Sequence, residues 1–423
     1  MERKGKSRAW GLGLGVRGRP RLRPFRPDPR PQTPDPLHVA AISVAFAACA
    51  LAGATNTESR HYRIHSDLDP AVTADYAKRL DAMYDEYAKR LADFDVPAGQ
   101  KFDVYLFAKQ SEYRAFTGNR LPSSAGIFIP SMRALAGYEE SQGREGLRQT
   151  LQHEAFHQFA WGAISTDLPI WLDEGLAQVF EEGVWTGRQF LLGQAPPARL
   201  ERLRQDIDAG RLIDFRTFLS MSRDDFQNRM RDPAVGRSMY NQAWAMTQFL
   251  VFATDEYGRP KYRDRLIGWL RDLHAGKDPA AAYAANFSSN IAGFETRFLE
   301  WARSAQPSPL AVYSDRVSKV AELLRLFRQD GLSFNSIGEL RQHLEKGQFH
   351  LTEARDGQTV TLEENALTYL DDLSGKPWPS SVLFLDRRNG PLPDVVLKSP
   401  RGATIRARFY ARGRTIDHDL AFE

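Results

Sequence analysis

The order of apolar and polar residues predicts a chain that is mainly helical in its middle and rich in strands towards its end. Residues 70–94 carry apolar side chains three or four positions apart, which is typical of an amphipathic helix. Residues 143–162 repeat that spacing and contain no internal proline. Further helices are predicted, in chain order, at residues 237–256, 260–274, 291–305 and 310–327.

Short alternating or clustered apolar runs predict strands on both sides of the first helix and again near the C terminus. In chain order they are residues 61–65, 101–108, 125–130, 133–138, 381–385 and 404–410. These elements predict an α+β fold with a small mixed sheet, a central helix, a helical lower lobe and a small β-rich C-terminal module.

The chain has 423 residues, which is long enough for two or three domains. We expect a basic arm with a signal peptide or N-terminal anchor over residues 1–54, and a main domain over residues 55–306. A helical linker over residues 307–345 and a β-rich accessory module over residues 346–423 would follow.

The predicted helix at residues 143–162 contains the pentad His153-Glu154-Ala155-Phe156-His157. Residues four apart lie on one helix face with Cβ atoms about 5–6 Å apart, so both imidazoles can reach a single metal ion. Glu154 is turned about 100° around the axis from His153, which suits a base acting on a water beside the metal. The alternative is an ordinary helix that carries two surface or capped histidines.

A second segment, Trp171-Leu172-Asp173-Glu174-Gly175-Leu176-Ala177, supplies a candidate third ligand. Pro169 can open the next helix, and the short connection before it brings Glu174 back towards the two histidines. A carboxylate that interacts with the helix dipole is the alternative, and it fits Asp173 better than Glu174. Gly175 would permit close approach of two helices, although a plain packing glycine is also compatible.

The two segments together resemble the gluzincin metallopeptidases of the peptidase MA type. The pattern is His153-Glu154-x-x-His157, sixteen intervening residues and then Trp-Leu-x-Glu174-Gly-Leu-Ala. It is similar in particular to a bacterial zincin-like domain family of unknown function, and the resemblance covers roughly residues 60–305. It implies a zincin-like domain with one Zn²⁺ per chain, held by His153, His157 and Glu174. Glu154 would polarise the water that hydrolyses a peptide bond.

The resemblance extends to one tyrosine and fails at two points. The wider group, which includes the membrane alanyl aminopeptidases, often uses a downstream tyrosine to stabilise the oxyanion, and Tyr240 is the candidate against a core tyrosine. No Gly-x-Met-Glu-Asn segment is present to bind a free amino terminus, so aminopeptidase activity is not expected. Thermolysin-like members place an aspartate four residues after the third ligand, and this chain has Gln178 there.

Charge is unevenly distributed along the chain. The net charge is +4, but residues 1–36 carry ten Arg or Lys against three acidic residues, so the remainder is mildly acidic. The basic arm is rich in proline and lacks interleaved aromatic residues, so we do not expect nucleic-acid binding.

Residues 37–54 form an uncharged apolar stretch that is typical of a secretory signal. Ala52-Gly53-Ala54 offers a cleavage site, and we expect an exported periplasmic or extracellular protein. Cys49, the single cysteine, lies in this stretch. A lipid on Cys49 and an uncleaved membrane anchor are the alternatives.

The sequence contains three further patterns of interest. His61 and His65 are four apart in a predicted strand without a fixed carboxylate, so a second metal site is not expected. Arg406, Arg408, Arg412 and Arg414 fit a solvated edge-strand face better than a surface for acidic polymers. The edge strand near Gly126-Ile127-Phe128 could pair with an extended substrate.

The sequence therefore favours a zinc-dependent peptidase that acts on peptides or proteins. The alternative is a catalytically silent metal-binding envelope or binding module on the same fold. The presence of Glu154 favours the peptidase, because a silent relative would not need that base.

Overall fold

The computed structural model describes residues 55–91, 94, 101–118, 124–165, 168–187, 189–346, 351–355, 358–362, 367, 369–371, 376, 382–385, 390–398, 404–412 and 415–423. The predicted signal segment, with Cys49 and the Ala52-Gly53-Ala54 site, lies outside these residues, as does Arg414. Among the described helices, none combines the length and the apolar character needed to cross a membrane.

The helices are numbered in chain order. They are α1 (Pro70–Arg90), α2 (Gln110–Thr117), α3 (Gly143–Ala163), α4 (Ile170–Glu181), α5 (Pro197–Asp208), α6 (Phe215–Leu219), α7 (Arg223–Arg229), α8 (Pro233–Phe252), α9 (Arg263–His274), α10 (Pro279–Asn286), α11 (Ile291–Ser304), α12 (Pro309–Gln329) and α13 (Ile337–Lys346).

The strands are numbered in the same way. They are β1 (Thr55–Glu58), β2 (Tyr62–Ser66), β3 (Phe102–Phe107), β4 (Gly126–Ile129), β5 (Ala134–Tyr138), β6 (Val184–Trp185), β7 (Phe190–Leu191), β8 (Leu351–Arg355), β9 (Gln358–Leu362), β10 (Val382–Leu385), β11 (Asp394–Lys398), β12 (Thr404–Arg412) and β13 (Thr415–Phe422).

Five strands form a mixed sheet in the order β1-β2-β3-β5-β4. The β2–β3 and β3–β5 pairs are parallel, and the two outer pairs are antiparallel. Helices α1 and α3 pack against strands of this sheet, while α2 packs on β3 and β5 through Tyr113 and Phe107. Every residue of β5 is buried, as expected for a strand that is covered on both faces. Strand β4 lies at an edge.

Helix α1 shows how the sequence sets a helix and its buried face. The Asp69 carboxylate accepts hydrogen bonds from the amides of Ala71 and Val72, and Pro70 occupies the first turn. The buried stripe includes Tyr76, Leu80, Met83 and Tyr87. This helix was predicted over residues 70–94, and its last helical residue is Arg90.

Helix α4 lies between α3 and α8 and contacts both. Trp171 near its start is fully buried and stacks on Trp269 of α9 with ring centroids 5.8 Å apart. A Cβ on Gly175 would lie 2.5 Å from the carbonyl oxygen of Ala243 and would clash with the Thr247 side chain. The glycine is therefore required for the close approach of α4 and α8.

The C-terminal part forms a separate antiparallel sheet in the order β10-β11-β12-β13. Helix α12 packs on this sheet, and its apolar face joins a hydrophobic cluster distinct from that of the preceding helices. The segment predicted as a helical linker thus contributes α12 and α13 to the C-terminal core. The domain boundaries themselves stay a prediction.

The mixed α+β composition and the small β-rich C-terminal sheet are confirmed. The helix predicted at residues 237–256 was wrong at both ends, because Asp232 caps a helix that begins at Pro233 and ends at Phe252. Tyr240 consequently lies in the second turn of α8.

Candidate metal centre

Helices α3 and α4 bring His153, His157 and Glu174 to one point. The two Nε2 atoms are 3.1 Å apart, and the Oε2 atom of Glu174 lies 3.2 Å from Nε2 of His153 and 3.7 Å from Nε2 of His157. A tetrahedral ion with bonds of about 2.0–2.1 Å would separate its ligand atoms by roughly 3.3 Å. The three distances bracket that value, so these residues could hold a metal ion.

The hydrogen bonds around the rings turn acceptor atoms towards the same point. Nδ1 of His153 is 2.9 Å from Glu181 Oε2, and Nδ1 of His157 is 2.9 Å from Asp173 Oδ1. A neutral ring that donates Nδ1–H to a carboxylate carries its lone pair on Nε2. The buried Oε2 atom of Glu174 has no hydrogen-bond partner. With both rings in this neutral form, three acceptors face one another, and such a group suits a bound cation.

The charges of the histidines and carboxylates at the centre affect one another's pKa values. Burial favours the neutral form of His153, but the Glu174 and Glu181 carboxylates outweigh it and raise the pKa of His153 to about 10. Burial has the same effect on His157, yet Asp173 and Glu174 hold the pKa of His157 well above its usual range. Burial would raise the pKa of Glu174, but the two imidazoles lower it. A metal ion would displace the protons that these histidines hold in its absence.

Glu154 lies beside the three acceptors. Its Oε2 accepts a hydrogen bond of 2.8 Å from the backbone N–H of Phe128 on the edge strand β4. Burial raises the pKa of Glu154, the positive charges of His153 and His157 lower it, and the charge of Glu174 raises it. Glu154 follows His153 on α3, and its carboxylate is not one of the three converging groups.

Tyr240 reaches the same region from α8. Its ring packs edge-on against Phe226 at a centroid distance of 5.7 Å. Burial is the main cause that raises the pKa of Tyr240, and the carboxylates of Glu174, Glu154 and Glu181 raise it further. A hydrogen-bond interaction with Glu174 contributes in the same direction. The phenol therefore keeps its proton at neutral pH and is available as a donor.

The centre is partly open to solvent. The side chains of His153, His157 and Glu174 keep 16%, 14% and 13% of their surface exposed. A group closed on all sides could serve only a structural ion, whereas this exposure leaves room for a water or a substrate atom.

Two carboxylates at the centre, each contacted by an arginine, were not assigned this role from the sequence. Asp173 was interpreted as a helix-dipole partner, but it contacts His157 and is 3.5 Å from Nη2 of Arg223. Glu181 was not singled out, and Arg199 contacts it from α5. A helical spacing of seven residues places Glu181 on the same face as Glu174, and that spacing is the one signal in the sequence.

The other predicted histidine pair occupies two separate positions. Nε2 of His61 is 3.1 Å from Asp85, whereas His65 contacts Asn56 through Nδ1 and Asp103 through Nε2. Each ring has its own partners, and within the described residues the single candidate metal group is the one on α3 and α4.

The arginines of β12 form ion pairs within the C-terminal sheet. Arg406 lies 3.6 Å from Asp394 and 3.4 Å from Glu423, and Arg408 lies 2.9 Å from Glu423. Strand β12 lies between β11 and β13, so the predicted edge-strand position was wrong. The two arginines instead lie on a face of an inner strand, where acidic side chains of the same sheet pair with them.

A family model described as "Protein of unknown function (DUF1570)" matches residues 148–259. The matched segment runs from α3 through α8 and contains every residue of the candidate metal centre discussed above apart from Phe128. The family is uncharacterised, so the match carries no activity with it. No curated protein matches the chain.

Proposed function

We propose that the protein is a zinc-dependent peptidase of the gluzincin type, with a zincin-like fold and one zinc ion per chain. The observation that carries this proposal is the convergence of three acceptor atoms from His153, His157 and Glu174 with a fourth side chain, Glu154, beside them. Two imidazoles and one carboxylate are the ligand set of a catalytic zinc site, which leaves one coordination position for water.

The surrounding residues suit peptide-bond hydrolysis. Bound zinc would supply a Lewis acid for the scissile carbonyl and a more acidic water. Glu154 would hold the proton of the attacking water and pass it to the departing amine. Tyr240 donates a hydrogen bond to the oxygen on which negative charge develops, which its raised pKa permits.

The edge strand β4 supports an extended peptide as substrate. A peptide that adds to this edge would hydrogen-bond with its main chain, whatever its side chains. The N–H of Phe128 is engaged by Glu154 in the absence of substrate. A substrate carbonyl that takes this N–H frees the Glu154 carboxylate to act on water, which links substrate binding to the availability of the base.

Export belongs to the same proposal. Residues 37–54 combine an apolar stretch with an Ala-x-Ala end, and a periplasmic or extracellular peptidase would meet peptide or protein substrates there.

The proposal is tested with Glu154→Gln. Purified wild-type protein should contain about one zinc per chain and hydrolyse members of a peptide library in a chelator-sensitive manner. Glu154→Gln should keep the metal and lose turnover by on the order of 10²-fold or more, because the amide cannot take a proton. Glu201→Gln on the exposed face of α5 is the matched control and should retain full activity.

Two outcomes would contradict the proposal in different ways. Full hydrolysis by Glu154→Gln would refute the glutamate base. Stoichiometric zinc without turnover of any library peptide by the wild type would favour the silent metal-binding module.

A further inference from the structure

The carboxylate that contacts the first histidine comes from an unexpected position on α4. The residue four positions after Glu174 is Gln178, yet Nδ1 of His153 still has a carboxylate partner. That partner is Glu181, the last residue of α4, with Oε2 at 2.9 Å. Glu181 lies three residues, about one turn, after Gln178 on the helix.

Gln178 remains connected to this carboxylate through an arginine. Nη1 of Arg199 donates a 2.8 Å hydrogen bond to the side-chain oxygen of Gln178, and Nη2 of the same guanidinium lies 3.8 Å from Oε1 of Glu181. Its Nε contacts Glu182. One guanidinium therefore joins three side chains at the C-terminal end of α4.

Arg199 is itself fixed by α8. Its guanidinium lies over the Trp244 ring at 5.3 Å from the centroid, and its backbone oxygen accepts a 3.0 Å hydrogen bond from the Asn241 side chain. The arginine side chain is 21% exposed. A planar cation held by an aromatic face and several acceptors has little freedom to rotate, so it can fix the carboxylate that it contacts.

We propose that Glu181 is a positioning residue that orients His153 for metal binding, and that Arg199, tied to Gln178, holds Glu181 in place. This inference rests on the proposed function. The hydrogen bond from Nδ1–H fixes both the tautomer and the direction of the ring, so the Nε2 lone pair faces the metal before it binds. Asp173 makes the corresponding contact with His157.

Glu182 provides an internal control for this assignment. It neighbours Glu181, lies close to the same guanidinium and has a partly buried side chain, 16% exposed. Glu182 contacts Arg199, whereas Glu181 contacts both Arg199 and the imidazole. Removal of either carboxylate changes the contacts of Arg199. Only removal of the Glu181 carboxylate is expected to change the orientation of His153.

The experiment compares Glu181→Ala, Glu181→Gln, Arg199→Gln and Glu182→Gln with the wild type. Zinc dissociation constants are measured by competition with a chromophoric chelator, and the visible spectrum of the cobalt(II)-substituted protein reports ligand geometry. We expect Glu181→Ala to weaken zinc binding by about 10–100-fold and to shift the cobalt bands. Glu181→Gln and Arg199→Gln should lie between this variant and the wild type, and Glu182→Gln should stay within about twofold of the wild type.

Failure of this inference is distinguishable from failure of the proposed function. If wild-type protein takes up no zinc, the proposed function is wrong and this inference falls with it. If the wild type binds zinc and both Glu181 variants match its affinity and cobalt spectrum, the positioning role alone is overturned. Equal losses in Glu181→Gln and Glu182→Gln would also overturn it, because they would indicate a general effect on the end of α4. Thermal unfolding shows whether each variant is folded. If Glu181→Ala does not fold, the near-isosteric Glu181→Gln serves as the test of the positioning role.

Discussion

Tyr240 keeps its proton because burial and three nearby carboxylates all disfavour the phenolate. A neutral phenol can donate to an oxyanion, whereas a phenolate would repel it. Tyr240→Phe removes this donor and preserves the ring that packs on Phe226. We expect kcat on a peptide substrate to fall by about 10²- to 10³-fold, with little change in KM or zinc content. Steady-state kinetics with metal analysis would test this, and unchanged kcat would assign Tyr240 to the core.

The pH dependence of the metal-free protein follows from His153. Its pKa is raised from 6.5 to about 10 in the fold, so protonation favours the folded state. This contribution is complete below pH 6.5 and is lost as the pH rises to about 10. We expect the melting temperature of the chelator-treated protein to fall over that interval more steeply than that of His153→Gln. Added zinc should flatten the decline, because the metal replaces the proton; parallel curves with and without zinc would contradict this.

The sequence predicted that His153, His157 and Glu174 would converge, but it did not predict which residues contact them. His153 and His157 are linked by helical spacing, and a short connection brings Glu174 back, so local geometry was sufficient. Glu181 contacts Arg199, whose position is set by the packing of α5 against α8. Contacts between elements that are distant in the chain leave no local pattern in the sequence. The amide residue Gln178, at the position where a carboxylate was looked for, also argued against a carboxylate partner for the histidine.

Close packing of α4 on α8 makes Gly175 a sensitive position. A Cβ at this point would lie 2.5 Å from the Ala243 carbonyl oxygen, and backbone cannot move aside cheaply. We expect Gly175→Ala to destabilise the fold by on the order of 1–3 kcal/mol or more and to weaken zinc binding, because Glu174 must shift with α4.

Gly162 is the matched control for this substitution. It lies in α3, and nothing stands within 4 Å of a Cβ built there. Gly162→Ala should stabilise the protein by about 0.5–1 kcal/mol, because alanine is favoured over glycine within helices. Chemical denaturation of both variants measures the difference. Equal stabilities would contradict the close approach of α4 and α8.

Long periodic elements were predictable, whereas short ones were not. Helices α1 and α3 follow from apolar stripes of about twenty residues. Helices α6 and α7 have five and seven residues, too few for periodicity to be recognised. The prediction for α8 began at residue 237, where its apolar face begins. The helix itself begins earlier, at the capping signal formed by Asp232 and Pro233.

The main hydrophobic cluster and the C-terminal cluster are connected at the N-terminal half of α3. Arg148 of this helix, only 8% exposed, lies 2.9 Å from Glu145, 3.3 Å from Asp75 and 3.4 Å from Asp419 of β13. Its positive charge thus connects α1, α3 and the C-terminal sheet. The helix that carries the candidate metal ligands is therefore contacted by α1 on one side and by the C-terminal sheet on the other. The C-terminal module thus helps to fix the position of α3.

Tyr410 of β12 provides a second contact at the start of the same helix. The side chain of Gln142, the N-cap residue of α3, makes no capping hydrogen bond. Instead, the Tyr410 hydroxyl accepts a 3.1 Å hydrogen bond from the Arg144 amide. The Arg144 guanidinium lies over the Tyr410 ring at 4.2 Å. Tyr410→Phe keeps the ring and removes the acceptor, so it isolates the cap contributed by the C-terminal sheet.

We expect Tyr410→Phe to cost about 0.5–2 kcal/mol and to speed amide hydrogen exchange in the first turn of α3. Zinc affinity should stay unchanged, because His153 lies more than two turns further along the helix. Tyr257→Phe, at a position that is 73% exposed, is the control and should alter neither property. Exchange in the first turn at the wild-type rate would mean that the C-terminal module does not cap α3. A loss of zinc affinity would mean that the cap supports the whole helix as far as the candidate metal ligands.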